Sequence, residues 1–307
     1  MKKISLIILT VLCVSLNAQE LDLLSLVDDA GKENEKVFAT FKTTKIVNSQ
    51  SIETVKKRCL DFRITHRFDN IAVGGSAHTM WGFDNSQDIR YSFDYGLTDK
   101  LTIGFARSKQ NELLELYSKF RFLEQTVSNK IPVTIAAYFC AGYTPINNAA
   151  FYLGVDKNTK QNDIYRFNYF SQLIIARKFN SWLSLQVMPS YHHRNFIKYA
   201  INTTNGKEEQ NDIFSLGIGG RLRFTKRMAL IVDYFHNFSE YRTNNKSTPF
   251  YNPLAIGLEM ETGGHVFHMN FTNNGGISEN NFIPNTTSSW LKGEFKFGFN
   301  ISRVFHF

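Results

Sequence analysis

Proline and cysteine are scarce in this chain of 307 residues, with 6 of the first and 3 of the second. That scarcity excludes collagen-like chains, proline-rich linkers and disulfide scaffolds. Charged residues make up only 20% and aromatic residues 14%, with 28 Phe, so the chain is no disordered polyelectrolyte. Also missing is any run of about 18 uncharged apolar residues, which excludes a polytopic helical membrane protein.

One shorter apolar run stands at the start. Lys2 and Lys3 precede the stretch 4–16, and Asn17 and Ala18 precede Gln19. This is the charge, core and small-residue layout of a cleaved secretory signal over 1–18. Cys13 lies inside the apolar core behind Val11 and Leu12, which is no lipidation site. Removal of the two lysines leaves Lys+Arg 33 against Asp+Glu 27, a surplus too mild for a nucleic-acid footprint, so no nucleic acid is expected as partner. The two remaining cysteines, Cys59 and Cys140, have no metal-site spacing and are expected as free thiols in apolar packing. No cofactor and no metal are expected.

From residue 52 onward the dominant pattern has period two, apolar and polar in alternation, which is the signature of strands with one greasy and one wet face. Twelve such segments appear, at 52–68, 88–95, 101–107, 113–122, 131–142, 164–177, 182–194, 211–224, 228–238, 252–261, 264–273 and 290–307. Their connections sort by parity. Those after even segments are tight, the one at 123–130 being somewhat longer. Those after odd segments are long and polar, except at 108–112. A soluble sandwich has no reason to sort its loops this way, whereas an outer-membrane barrel has short periplasmic turns and long outer loops. The sequence therefore predicts an all-β chain, a single antiparallel transmembrane β-barrel of about 12 strands over 52–307, inserted in outer-membrane lipid. Segment 19–51 is expected to be a periplasmic lead-in or plug, with 37–47 as a strand at the mouth or an inward plug. Phe305 and Phe307 close an alternating apolar row and resemble the signal read by the barrel-assembly machinery.

Several stretches, LDFRITHRF (60–68), SFDYGLTDKL (92–101), LSLQVMPSYHHRN (183–195), GIGGRLRFTKR (217–227), IGLEMETGGHVFHMNFTN (256–273) and FGFNISRVF (297–305), resemble domain-of-unknown-function family 5777, β-barrel proteins of Gram-negative envelopes. The resemblance implies an outer-membrane barrel and no established activity.

If the apolar rows face lipid, the opposite rows line the lumen. Parity selects Asp61, Arg63, Arg67, Asp88, Arg90, Asp94, Arg121, Arg166, Arg221, Arg223, Asp233, Glu259, Glu261, Glu294 and Lys296 as lumen-lining candidates, with His268 as a polar wall residue. Arginine or lysine at such depths costs roughly 2–4 kcal/mol if it faces hydrocarbon. Both signs are nearly balanced, so two readings stay open: a salt-bridge lattice filling the barrel, and a water-filled pore that steers small anions. Gly217, Gly219, Gly220 and Gly298 are expected where the wall bends or packs closely. His192 and His193 point to opposite faces, as do His265 and His268, so neither pair chelates an ion. His78 and Asp84 offer the one rim dyad worth weighing for hydrolysis. The favoured function is a passive channel or transporter for small polar solutes. The alternatives are a non-conducting structural, receptor or partner-anchoring barrel and, further off, a hydrolase.

Overall fold

The computed structural model describes residues 34–72, 77–156 and 158–307. The signal segment 1–18 and the start of the lead-in, 19–33, lie outside the described residues. Twelve strands follow one another in chain order: β1 Cys59–Asn70, β2 Ser86–Gly96, β3 Leu101–Ser108, β4 Leu114–Leu123, β5 Thr134–Tyr143, β6 Phe167–Lys178, β7 Leu183–Arg194, β8 Asp212–Arg223, β9 Met228–Phe238, β10 Leu254–Thr262, β11 His265–Thr272 and β12 Lys296–His306. Each pairs antiparallel with the next. β1 then closes on β12, with Leu60 opposite Phe305 and Ile64 opposite Ile301. Closure leaves no open sheet edge, the only way a sheet can sit in hydrocarbon without unpaired amides.

The burial pattern inverts that of a soluble protein. Phe93, Phe105, Leu116, Ile218 and Leu230 are exposed on the outer wall, while Arg63, Arg67 and Arg90 are among the most buried side chains. Fully buried arginine is rare in water-soluble proteins, and large exposed apolar belts mark a membrane surface. Alternation does the sorting: in β1 the odd positions Asp61 to Arg67 point in, and the even ones, from Leu60 to Phe68, point out.

The ladder is broken between β6 and β7, where no pairing joins Leu173 and Ile174 to Met188 and Pro189. Pro189 has no N–H to donate and sits on the outer face. The β10–β11 turn is Gly263-Gly264, with φ of 45° and 128°, conformations only glycine takes without strain.

The strands begin and end inside the predicted segments at several places. Residues 52–58 are not strand; they run along the short-turn rim, where Arg58 N–H donates to Gly96 O at 2.9 Å and Lys57 N–H to Asp99 Oδ1 at 3.0 Å. Residues 164–166 and 290–292 lie in 3-10 turns rather than in β6 and β12, because polar loop groups capture their backbone: Asn162 Oδ1 accepts from Ile164 N–H, and Gly293 (φ 73°) takes a left-handed turn after Lys292. Periodicity alone continued through both.

Replacing Ile218, half-exposed on the outer face at mid-strand of β8, by arginine should destabilise the barrel by about 2–4 kcal/mol in lipid. Urea unfolding in phosphatidylcholine vesicles measures this; an unchanged midpoint would contradict a lipid-facing wall.

Candidate functional site

The interior of the cylinder is the site, and it is occupied by the protein's own chain from both ends. From the short-turn end, residues 40–52 fold into the lumen as a narrow hairpin. Lys45 bridges to Gln50, Ile46 N–H donates to Ser49 O at 2.9 Å, and Ser51 N–H donates to Thr44 O at 2.9 Å. The wall is shaped for it. A Cβ at Gly219 would collide with the Ile46 side chain, and one at Gly96 would collide with the backbone carbonyls of Val55 and Lys56. Glycine at these two wall positions lets another piece of chain approach.

One wall carboxylate holds the hairpin tip. Asp233 Oδ2 accepts from the backbone N–H of Val47 at 3.2 Å, Asn48 at 2.8 Å and Ser49 at 3.0 Å, and from the Ser49 hydroxyl at 3.1 Å. Successive N–H groups turned toward one point form an anion nest, and a carboxylate there gains charge-assisted bonds. The cationic counterpart is Lys119, whose Nζ donates to the carbonyls of Thr44 at 2.8 Å, Ser51 at 3.0 Å and Glu53 at 3.1 Å. All three ammonium protons are thus committed, two to the hairpin and one to the residue just after it. Arg67 Nη2 reaches Asn48 Oδ1 at 2.7 Å, and Asn300 Nδ2 reaches Val47 O at 3.2 Å.

From the long-loop end, the β11–β12 connection turns inward and carries the short helix Glu279–Asn285. Ser278 donates to Glu115, Ile277 N–H to Asp88 Oδ2 at 3.0 Å, and Phe282 packs on Phe235 with ring centres 5.5 Å apart. The two intruding segments meet at Lys45 and Glu279, whose Nζ and Oε1 lie 3.1 Å apart with side chains only 6% and 2% exposed. Burial pushes the Lys45 ammonium below its ordinary range, with Glu279 pulling the other way.

The parity-selected residues fall into three groups. Asp61, Arg63, Arg67, Asp88, Arg90, Asp94, Asp233, Glu259, His268 and Lys296 are buried on the inner wall. Among them, Arg90 pairs with Glu115 at 2.9 Å and Arg63 with Asp61 at 3.3 Å. Thr44 Oγ1 lies 3.3 Å from Asp61 and 3.1 Å from Asp94, two carboxylates that face each other across β1 and β2. Arg121, Arg221, Arg223 and Glu261 lie toward the short-turn rim. There Arg121 meets Glu53 at 3.4 Å, Arg221 meets Glu259 at 2.8 Å, and Glu261 meets Lys42 at 2.6 Å. Arg166 and Glu294 are not in the wall. Arg166 is buried in the outer loops, donating to Thr144 O at 2.9 Å, and Glu294 accepts from Ser289 N–H at 2.7 Å in the turn before β12. Both were placed by extending alternation into segments that loop hydrogen bonds had already bent.

Both cysteines are free and buried, and Cys140 packs in the apolar cluster with Tyr138, Phe170 and Ile174. Each also has a polar contact: Cys140 Sγ donates to Glu115 Oε1 at 3.5 Å, and Cys59 Sγ lies 3.1 Å from His306 Nδ1.

Glu115 and Lys119 belong to the same inward row as Arg121, so alternation along 113–122 already pointed to them. Glu279 carried no such signal, because it lies in a connection without strand periodicity; Lys45 and Glu53 lie in 37–47 and 52–68, expected as a strand or plug and as a strand, without either residue being singled out.

A closed antiparallel barrel with a greasy skin and a charged, filled interior defines a membrane-bound β-barrel protein. The chain belongs to the family of the membrane bound beta barrel domain (DUF5777), which matches residues 41–305. No curated protein matches it. Among solved structures it is similar to the NanC porin (8% identity, 81% of this chain and 99% of that one, TM-score 0.47). It is also similar to the KdgM porin (8%, 81% and 99%, 0.42) and to an outer membrane channel from Pseudomonas putida F1 (11%, 83% and 98%, 0.45). Likeness at this level carries no functional weight.

Asp233→Ala removes the acceptor of four bonds to the hairpin tip and should cost about 1–3 kcal/mol for the donors left unpaired. In a Cys59→Ser, Cys140→Ser background, Ser49→Cys should resist a water-soluble maleimide and become reactive once Asp233→Ala is added. Equal labelling rates would show that the carboxylate does not hold the tip.

Proposed function

We propose that the protein is an outer-membrane passage for small polar solutes, held shut at rest by its own N-terminal hairpin and by the inward β11–β12 loop. The observation that carries this reading is the chemistry of the filling. The hairpin meets the wall through hydrogen bonds with Asp233, Lys119 and Arg67, beside its buried apolar side chains Phe41, Ile46, Val47 and Ile52. Polar contacts exchange for water at small net cost, about 0.5–1.5 kcal/mol each, so the main cost of withdrawing the hairpin is exposure of these four apolar side chains. Several interior groups, among them Arg67 Nε, Arg90 Nη2 and both side-chain polar atoms of Asn270, have no protein partner, and such groups are served by water. The hairpin joins β1 through 53–58, and before it residues 35–37 pair with the β4–β5 turn, Val37 N–H donating to Gln125 O at 2.8 Å and Val127 N–H to Glu35 O at 2.9 Å.

The alternative is a non-conducting barrel that anchors or receives a partner through its long loops. The double filling, one segment from each end, favours it. No catalytic step belongs to either reading. Among the described residues, no hydrogen bond or ion pair joins His78 to Asp84. The one histidine–carboxylate contact on the outer wall, His193 Nδ1 to Asp212 Oδ1 at 2.7 Å, has no serine or cysteine bonded to it.

Planar-bilayer recordings separate the two. The full chain should be almost silent. Deletion of 20–51 should raise open probability, and a further replacement of 274–289 by a short glycine-serine link should give large steady steps. Silence in all three proteins, each still heat-modifiable on gels, would leave the non-conducting barrel.

A further inference from the structure

Above the inward helix, at the long-loop end, the outer connections enclose a cavity of about 450 Å³ that takes no part in closing the barrel. Its floor is Asn280, Asn281, Pro284 and Asn285 of that helix, and its walls come from the β5–β6 and β7–β8 loops. Three cations line it, Arg166, Arg194 and Lys198, against one carboxylate, Glu209. Glu209 is already shared: Oε1 lies 2.5 Å from Arg194 Nη2 and 2.9 Å from Arg242 Nη1. Arg166 and Lys198 spend their protons on backbone carbonyls, Arg166 on Thr144 and Ile146 and Lys198 on Leu153, which satisfies hydrogen bonding without cancelling charge. The carboxylate nearest Arg166, Asp163, stands 3.6 Å away with its side chain 91% exposed, where water screens it. The cavity therefore carries positive charge in excess.

One side of it is aromatic. Tyr165 stacks on Phe196 with ring centres 5.3 Å apart, Phe151 lies 5.6 Å from Phe196, and the Arg166 guanidinium sits 4.9 Å over Phe151. Two lining residues also carry buried polar atoms without a protein partner, Arg194 Nε, a donor, and Asn280 Oδ1, an acceptor. Cations beside aromatic rings and an unpartnered acceptor suit a molecule with a negative charge, a ring and a hydroxyl.

The geometry points to an outer-mouth binding site for a small hydroxylated ring carboxylate, the chemistry of a sugar acid. Its carboxylate would lie against Arg194 and Lys198, its ring face against Phe196 and Tyr165, and a hydroxyl would donate to Asn280. This deepens the proposed function by naming a solute class, and it rests on the long-loop end being the outer mouth. The floor helix begins at Glu279, the partner of Lys45, so an occupant of the site touches the element that meets the hairpin.

Titration calorimetry on the full-length protein in detergent, with glucuronate as probe, tests the site. Glucose supplies the ring without charge and inorganic phosphate the charge without a ring. Glucuronate should bind at least about tenfold more tightly than either, the effect of one charge-assisted bond. Arg194→Gln should weaken it about tenfold. Lys198→Gln, a change at an exposed loop residue outside the barrel wall, should weaken it about threefold. Lys292→Gln, on another loop outside the cavity, should leave it unchanged. Glucuronate bound no better than glucose, phosphate matching it, or Lys198→Gln behaving like Lys292→Gln would each overturn the proposal. Calorimetry needs no conduction, so a barrel silent in bilayers would end the channel reading while leaving this result to stand by itself.

Discussion

Hydrocarbon offers no hydrogen bonds, and this constraint orders the whole molecule. A sheet can enter a bilayer only if its first and last strands pair, so β1 must find β12 across the full length of the chain, Leu60 against Phe305 and Ile64 against Ile301. Once the cylinder is closed, every side chain is committed to lipid or to lumen by its parity. Rows of Phe, Leu and Ile face out, and Asp, Arg, Glu and Lys are driven inward at densities no soluble core would accept.

That inward crowding creates a second problem, the partnering of buried charge. Wall-to-wall pairs such as Arg90 with Glu115 answer part of it. The remainder is answered by chain from outside the wall: backbone N–H groups of the hairpin around Asp233, backbone carbonyls around Lys119, and the Lys45–Glu279 pair where both fillings meet. A buried ion left alone is far costlier than a paired one, so the hairpin and the inward loop are parts of the barrel's electrostatics as well as its stopper.

Much of this was legible in the residues. All twelve strands follow from alternation, and 228–238 is bounded at the predicted residues. The inward rows of β1 and β2 read directly from Asp61, Arg63, Arg67, Arg90 and Asp94. Reading failed where period two ran on after the strand had ended, which put Arg166 and Glu294 in a wall they do not enter. It also passed over Glu115 and Lys119, although both share the row of Arg121.

By itself the sequence determined the architecture: strand number, the facing of each side chain and the sorting of short turns from long loops. These depend on local periodicity and on lipid as solvent, and both are written residue by residue. An inward plug at 37–47 was one of two expectations from the sequence; how the filling is seated was decided by tertiary structure. Lys45 and Glu279 are 234 positions apart in the chain and share no pattern, and Gly219 shows its purpose only when Ile46 lies against it. Three-dimensional closure brings such groups within reach of one another, and distance in space is a property that no one-dimensional period encodes.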